Sequence, residues 1–134
     1  MPIRLPKEPE MPKVSKRSAQ FDDYGPVESW HQEVAGYAIE FVTFKVDIDS
    51  TPMLKGLPGD QCICPHWGYV LSGRVTFTVD DREETYEPGD AFYVPPGHLQ
   101  QADAGTEYLQ FSPAEEMAVV EAQIMKNMQE LSQA

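Results

Sequence analysis

The stretch HWGYVLSGRVTFTVDDREETYEPGDAFYVPPGH, which spans residues 66–98, decides the fold. Within it, Val75, Phe77 and Val79 occupy alternate positions, a pattern that predicts a β-strand with one buried face. Three turn signals interrupt the stretch: Ser72-Gly73, Asp80-Asp81 and Pro88-Gly89-Asp90. Short strands with a turn signal about every eight to twelve residues are typical of antiparallel barrels and sandwiches.

The segments on either side complete this pattern. Upstream, apolar side chains at every second position predict another half-buried strand: Val42, Phe44, Val46 and Ile48. Residues 51–60, TPMLKGLPGD, hold two prolines and two glycines and indicate a long loop. Downstream, Ser112, Pro113 and Glu115 form the capping pattern of a helix N-terminus. Apolar residues at steps of three and four then predict a C-terminal helix: Met117, Val120, Ile124, Met128 and Leu131.

The first twenty residues differ from the rest in composition. They hold four prolines, many charges and few large apolar side chains. Such a segment buries too little apolar surface to offset the entropy of ordering, so we expect a loose arm. An alternative is that the arm packs along a neighbouring subunit as an exchanged strand.

Two segments, HWGYVLSGRVTF and PGDAFYVPPGH, resemble the two sequence motifs of the cupin superfamily. Members of this superfamily are small jelly-roll barrels whose inner strands hold a metal or ligand site. The resemblance covers residues 59–111. It implies an all-β protein with a single cupin jelly-roll barrel over residues 21–112, an irregular N-terminal arm over residues 1–20 and a C-terminal α-helix over residues 113–134.

The usual cupin ligands, three histidines and one glutamate, are replaced in this chain. When the first motif is aligned on its glycine, His66 occupies the family's glutamate position and Cys62 occupies a histidine position. The second motif matches at Gly89, Pro95 and Gly97. Its histidine position holds Gln100, and a histidine lies two residues earlier, at His98.

Four sulfur and nitrogen ligands are the candidates for a metal site. In an extended segment, Cys62, Cys64 and His66 project to the same side, because side chains alternate with period two. Pro65 indicates a turn between two strands, and the cupin pattern places His98 beside this segment. Two cysteines and two histidines suit tetrahedral zinc, while iron, nickel and copper are further possibilities. The alternative is that both cysteines are simply buried small residues.

Three further residues are candidates for the lining of a ligand pocket because they are close in sequence to the predicted ligands: Tyr69, Tyr93 and Gln100. The chain shows no phosphate-binding glycine loop and no serine-nucleophile motif. The cupin resemblance implies that the ligand is a small organic molecule held inside the barrel.

Charge and hydropathy limit the partners. The net charge is −12, and residues 1–20 carry five basic against two acidic residues, so the acidity is concentrated in the predicted barrel and helix. An acidic body repels phosphate backbones, which makes nucleic acid an unexpected partner. No long apolar run or signal peptide is visible, so we expect no membrane association and a cytoplasmic location. We expect a homodimer, because cupins commonly pair.

Three functions remain open from the sequence. The first is a metal-dependent cupin enzyme of dioxygenase, isomerase, decarboxylase or lyase type, as the resemblance implies. The second is a non-catalytic barrel that binds a small molecule without metal. The third is a redox pair formed by Cys62 and Cys64, which would require a depressed thiol pKa.

Overall fold

A computed structural model describes residues 11–132 of the chain. These residues form ten β-strands, two short 3₁₀ turns and one α-helix. The strands are β1 (Gln20–Asp23), β2 (Val27–Val34), β3 (Tyr37–Phe44), β4 (Ile48–Asp49), β5 (His66–Ser72), β6 (Val75–Val79), β7 (Arg82–Tyr86), β8 (Ala91–Val94), β9 (His98–Ala102) and β10 (Glu107–Pro113). The 3₁₀ turns are Thr51–Met53 and Pro58–Asp60, and the helix α1 is Ala114–Ser132.

The strands form two antiparallel sheets that face each other. The larger sheet has the order β1-β2-β3-β10-β5-β8, and the smaller sheet has the order β4-β9-β6-β7. Apolar side chains from both sheets interlock in one core, including Val70, Phe92 and Tyr108 from the larger sheet and Val75 and Phe77 from the smaller. This arrangement is the predicted all-β jelly roll, because the alternation of apolar residues in each strand supplies one inward face.

The loop over residues 51–60 and the helix α1 build a second core. Leu54 and Leu57 of the loop pack with Met117 and Val120 of the helix. The buried side chain of Asn127 fixes the helix to the loop, since its Nδ2 donates hydrogen bonds to the carbonyls of Met53 (2.6 Å) and Lys55 (2.7 Å). No helix within residues 11–132 has both the length and the apolar character needed to span a bilayer.

The start of the helix differs from the prediction. Pro113 still belongs to β10, and α1 begins at Ala114. The predicted cap, Ser112, is a strand residue whose hydroxyl lies 2.7 Å from the ring of His66. Ser112 thus matches the capping pattern in the sequence, but in the structure its hydroxyl contacts His66 instead of the helix N-terminus.

The predicted burial of Val46 needs correction, and the predicted N-terminal arm lies partly outside the described residues. Val46 was expected on the buried face but is 48% exposed, because β3 ends at Phe44 and the chain bends there. Of the arm predicted over residues 1–20, residues 1–10 lie outside the described residues. Within the remainder, the ammonium of Lys16 pairs with Glu107 and lies 4.3 Å from the ring centroid of Trp30, so this part contacts the barrel.

Candidate metal centre

The backbone brings Cys62 beside His98. The N–H of Cys62 donates to the carbonyl of His98 (2.9 Å), and the N–H of His98 donates to the carbonyl of Cys62 (3.2 Å). These bonds form an isolated antiparallel bridge between the two segments. Residues that were 36 positions apart in sequence therefore hold their side chains next to each other at the start of β9.

His66 is the first residue of β5, directly after Pro65. It shares the inward face of this strand with Val70 and is 4% exposed. Its Nδ1 lies 2.7 Å from the hydroxyl of Ser112 on the neighbouring strand β10, and its Nε2 lies 3.5 Å from Cys62 Sγ. In the tautomer that carries hydrogen on Nδ1, the ring donates to Ser112 and keeps the Nε2 lone pair directed toward the cysteine.

His98 is oriented in the same manner. Its Nδ1 lies 2.8 Å from the carbonyl of Pro95, which can only accept a hydrogen bond. The hydrogen of the neutral ring is therefore on Nδ1, and Nε2 is left as the acceptor. The rings of His98 and His66 meet edge to face with centroids 5.0 Å apart. A hydrogen-bonded Nδ1 with a free Nε2 is the arrangement in which histidine usually binds a metal.

These three side chains could hold a metal ion. Cys62, His66 and His98 each offer one ligand atom, and the three atoms lie within 4.8 Å of one another. For tetrahedral zinc, bond lengths of about 2.3 Å to sulfur and about 2.1 Å to nitrogen place the two ligand atoms about 3.6 Å apart. The separation of 3.5 Å between Cys62 Sγ and His66 Nε2 fits this value. The donor set and its spacing are thus compatible with a transition metal.

The protonation states also suit metal binding. Burial, followed by the nearby ring of His98, lowers the pKa of His66 to about 3. Burial likewise lowers the pKa of His98, against the opposing effect of the Pro95 carbonyl. Both imidazoles are therefore neutral near pH 7, with lone pairs available. Burial raises the pKa of Cys62 to about 11, so a metal that binds its sulfur must displace a proton.

Cys64 does not join this group. Its side chain is fully buried, and its Sγ lies 3.4 Å from the carbonyl of Pro65 and 3.9 Å from that of Pro113. Burial, followed by Cys62, raises the pKa of Cys64 to about 12. With both thiol pKa values raised, the redox-pair interpretation lacks the depressed pKa that it requires.

The predicted pocket residues separate into two groups. Gln100 lines the barrel cavity, and its Nε2 donates to the hydroxyl of Tyr108 (2.8 Å). Tyr69 and Tyr93 are 44% and 49% exposed and do not line the cavity. They lie on the outer face of the larger sheet because His66 faces inward, which directs the odd-numbered residues of β5 outward.

The candidate metal-ligand cluster, which consists of Cys62, His66 and His98, lines a cavity of about 150 Å³ inside the barrel. Most of its walls are apolar, and the helix contributes Met117, Val120, Ile124, Met125 and Met128 to them. The cavity also contains polar residues that the sequence analysis missed: Ser29, Glu40, Tyr108, Gln110 and Glu121. For Glu40 a signal was present, since it lies two positions before Val42 on the predicted buried face of β3.

Comparisons with known proteins agree with this architecture. Residues 64–104 match the family model of the cupin domain, Cupin_2. KdgF from Halomonas sp. superposes with a TM-score of 0.53 at 15% identity, covering 78% of this chain and 94% of that protein. A sugar phosphate isomerase of the cupin superfamily from Silicibacter pomeroyi gives a TM-score of 0.53 at 16% identity, covering 76% and 75%.

A third solved structure, an RmlC-like cupin from Shewanella frigidimarina, gives a TM-score of 0.52 at 17% identity, covering 72% of this chain and 86% of that one. No curated protein has a significantly similar sequence. Residues 64–104 thus match a cupin domain, and the fold of the chain is the small jelly roll seen in the RmlC-like cupin structure. At these low identities the solved structures establish the fold and leave the activity to be argued from the site.

Proposed function

We propose that this protein is a metal-binding cupin that holds one divalent transition metal through Cys62, His66 and His98 and acts on a small organic molecule in the adjoining cavity. The observation that carries the proposal is the convergence of three buried ligand atoms, within 4.8 Å of one another, on the wall of that cavity. Three protein ligands with a fourth position open to water or substrate are typical of catalytic zinc sites. Zinc suits the mixed sulfur and nitrogen donors best, with iron and nickel as alternatives.

The roles of the neighbouring residues follow from their contacts. Ser112 and the carbonyl of Pro95 hold the two imidazoles with Nε2 directed inward. A bound metal would supply Lewis acidity to a substrate oxygen or lower the pKa of a coordinated water. Burial, followed by the charge of Glu40, raises the pKa of Glu121 on the cavity wall to about 7. A carboxyl group with such a pKa is suited to proton transfer at neutral pH.

The test is the metal content of untagged protein purified without chelator. We expect about one zinc or iron per chain by inductively coupled plasma mass spectrometry. After chelation, titration with Co²⁺ is expected to saturate at one equivalent and to produce a sulfur-to-cobalt charge-transfer band from Cys62. A protein that contains no metal and gives no such band with Co²⁺ would contradict the proposal.

A second candidate function is a barrel that binds a small molecule without metal or turnover. The observation in its favour is the cavity itself, whose walls are mostly apolar and include flexible methionines of α1. Metal content separates the two functions. The binding barrel predicts metal-free protein whose thiols, Cys62 and Cys64, react only after unfolding, because both are buried.

We also propose that the protein is a homodimer that pairs through the outer face of the larger sheet. Four aromatic side chains are exposed there, on β5, β8 and β10: Trp67, Tyr69, Tyr93 and Phe111. Trp67 lies opposite both Tyr93 and Phe111, and Tyr69 is two residues further along β5. The rings of Trp67 and Tyr93 are in contact at a tilt of 44°, with centroids 5.1 Å apart. Contiguous exposed aromatic residues of this kind commonly mark protein contacts, and a second copy offers the same surface for a two-fold interface.

Light scattering coupled to size-exclusion chromatography is expected to give twice the chain mass of 15.1 kDa. Substitution of Tyr93 with glutamate is expected to yield monomers, because it places a charge in the centre of the patch. The matched control is Thr85→Glu, on the exposed strand β7 of the other sheet, which is expected to stay dimeric. A wild-type protein that elutes as a monomer at micromolar concentration would contradict the proposal.

A further inference from the structure

Glu40 is a buried carboxyl group without a basic partner. It lies on the inward face of β3 and is 9% exposed. Its Oε2 accepts a hydrogen bond from the hydroxyl of Ser29 (2.5 Å), and its Oε1 accepts one from Nε2 of Gln110 (2.9 Å). Both partners are neutral, and no ion pair among residues 11–132 includes Glu40. Since a carboxylate offers about four acceptor sites, its capacity is only half used.

Acidic groups outnumber basic ones around Glu40: Glu121 and Asp22 are acidic, and His31, the cross-strand neighbour of Glu40 on β2, pairs with Asp22. Glu121 of α1 lines the same cavity, and the two carboxyl groups repel each other strongly enough to contribute to the raised pKa of Glu121. Within the described residues, no lysine or arginine lines this cavity. Such a field disfavours phosphate and carboxylate ligands and favours cations. The cavity therefore lacks the positive charge that would be expected in a site for a sugar phosphate.

A second polar group of the cavity wall is His98. It is 1% exposed, its Nδ1 is bonded to Pro95, and its Nε2 has no hydrogen-bond partner within residues 11–132. This nitrogen belongs to the candidate metal-ligand cluster, so the wall offers two separate polar groups, His98 and Glu40.

The strand register gives the spacing between the Glu40 carboxylate and the metal-ligand cluster. Gln110 of β10 pairs with Glu40 of β3, while Ser112, two residues further along β10, contacts His66. Two residues along a strand correspond to about 7 Å. A short molecule can thus contact both groups, and apolar side chains such as Val42 and Phe44 line the cavity beside them.

We propose that the cavity selects small organic cations and that Glu40, held by Ser29 and Gln110, receives the ammonium group of a short aliphatic amine. An ammonium group donates three hydrogen bonds and has no acceptor, so it matches the unused acceptor sites of the carboxylate. This inference names the substrate class of the proposed function and rests on it only in using the same cavity. Glu40 acts here in binding and specificity, apart from any chemistry at the metal.

The test compares three probes of nearly equal size by isothermal titration calorimetry: n-butylammonium, n-butanol and n-butyrate. The full-length protein is used as purified and again after chelation, so that amine coordination to a metal is distinguished from binding at Glu40. We expect n-butylammonium to bind at least tenfold more tightly than n-butyrate in the chelated protein, where no metal ion is present to coordinate the carboxylate. In the chelated protein, equal affinity for the cation and the anion, or no binding of the cation, would overturn the proposal.

Two variants test whether Glu40 is the residue that causes the preference for the cation. In Glu40→Gln, which keeps the side-chain shape and can still bond to Ser29 and Gln110, the affinity for n-butylammonium is expected to fall at least tenfold. Glu84→Gln removes the same charge from the exposed strand β7 and is expected to change the affinity less than twofold. Circular dichroism verifies that both variants fold. A folded Glu40→Gln protein with wild-type affinity would overturn the assignment.

The experiment also separates this proposal from the proposed metal function. If metal analysis finds no metal in the protein as purified, and the chelated protein still prefers the cation, the metal function fails and the amine site stands. If the protein as purified holds one metal but the chelated protein binds the cation and the anion equally, the metal function stands and the amine site fails.

Discussion

Substitution of His66 with alanine is expected to lower the affinity for zinc by at least about 60-fold. Zinc binding by four-ligand peptide sites amounts to about 10–16 kcal/mol, or about 2.5–4 kcal/mol per ligand. Because about 1.4 kcal/mol corresponds to a tenfold change, one lost ligand gives a loss of about 60-fold or more. His66 provides one of only three candidate ligand atoms in the described cluster, so no neighbouring ligand in that cluster replaces it. Competition with a chromophoric chelator measures the affinity.

Related variants define the ligand set. Cys62→Ser and His98→Ala are expected to match the loss in His66→Ala, because each removes one atom of the same cluster. Ser112→Ala is expected to cost about tenfold, because it removes the group that orients His66 but leaves all three ligands. Cys64→Ser is the matched control, since this sulfur lies outside the cluster, and its affinity is expected to stay within about twofold of wild type. Wild-type affinity in both His66→Ala and Cys62→Ser would refute the assigned ligands.

Substitution of Gly73 with alanine is expected to destabilise the protein by at least about 3 kcal/mol. Gly73 has a φ of +76°, which costs a residue with a Cβ about 1–2 kcal/mol. An added Cβ would also lie 2.4 Å from the Cα of Thr106, a backbone atom that cannot rotate away. Thr106 is fully buried, and its hydroxyl bonds both the N–H and the carbonyl of Arg74, so the overlap strains a fixed part of the barrel.

Gly89 provides the matched control for this prediction. Its φ is +95°, and an added Cβ would meet no atom within 4 Å. Gly89→Ala therefore carries the backbone strain without the overlap, and we expect a loss of about 1 kcal/mol. Urea denaturation of the wild type and both variants gives the free energies of unfolding. Equal losses in the two variants would show that the contact with Thr106 contributes nothing.

The sequence predicted most of the barrel because its strands carry their burial in a period of two. Val75 and Phe77 are buried as their alternation indicates, and the turn at Ser72-Gly73 joins β5 and β6. The same alternation could have placed Tyr69 correctly. Once His66 is assigned inward, every odd position of β5 must face outward, and the proximity of Tyr69 in sequence to the ligands carries no information about its direction.

Other features depend on contacts that no local pattern contains. The choice between Cys62 and Cys64 follows from the bridge between Cys62 and His98, which is a pairing of distant segments. Ser112 matched a helix cap in sequence, but its register on β10 places it against His66. Glu40 continues a buried face, yet only the fold shows that Gln110 is its cross-strand partner. Registers between distant strands are set by the whole barrel and therefore escape a single-sequence reading.

The position of α1 has a consequence for kinetics and for the divergence of related chains. One wall of the cavity comes from α1, while the candidate ligand atoms and Glu40 belong to the barrel. Because α1 pairs with no strand, it can shift without breaking any strand pairing, and we expect the helix to influence the residence time of a bound molecule more than the barrel does. Substitutions at Ile124, Met125 or Met128 can therefore tune how fast a molecule is exchanged, and which shapes fit, at little cost to folding.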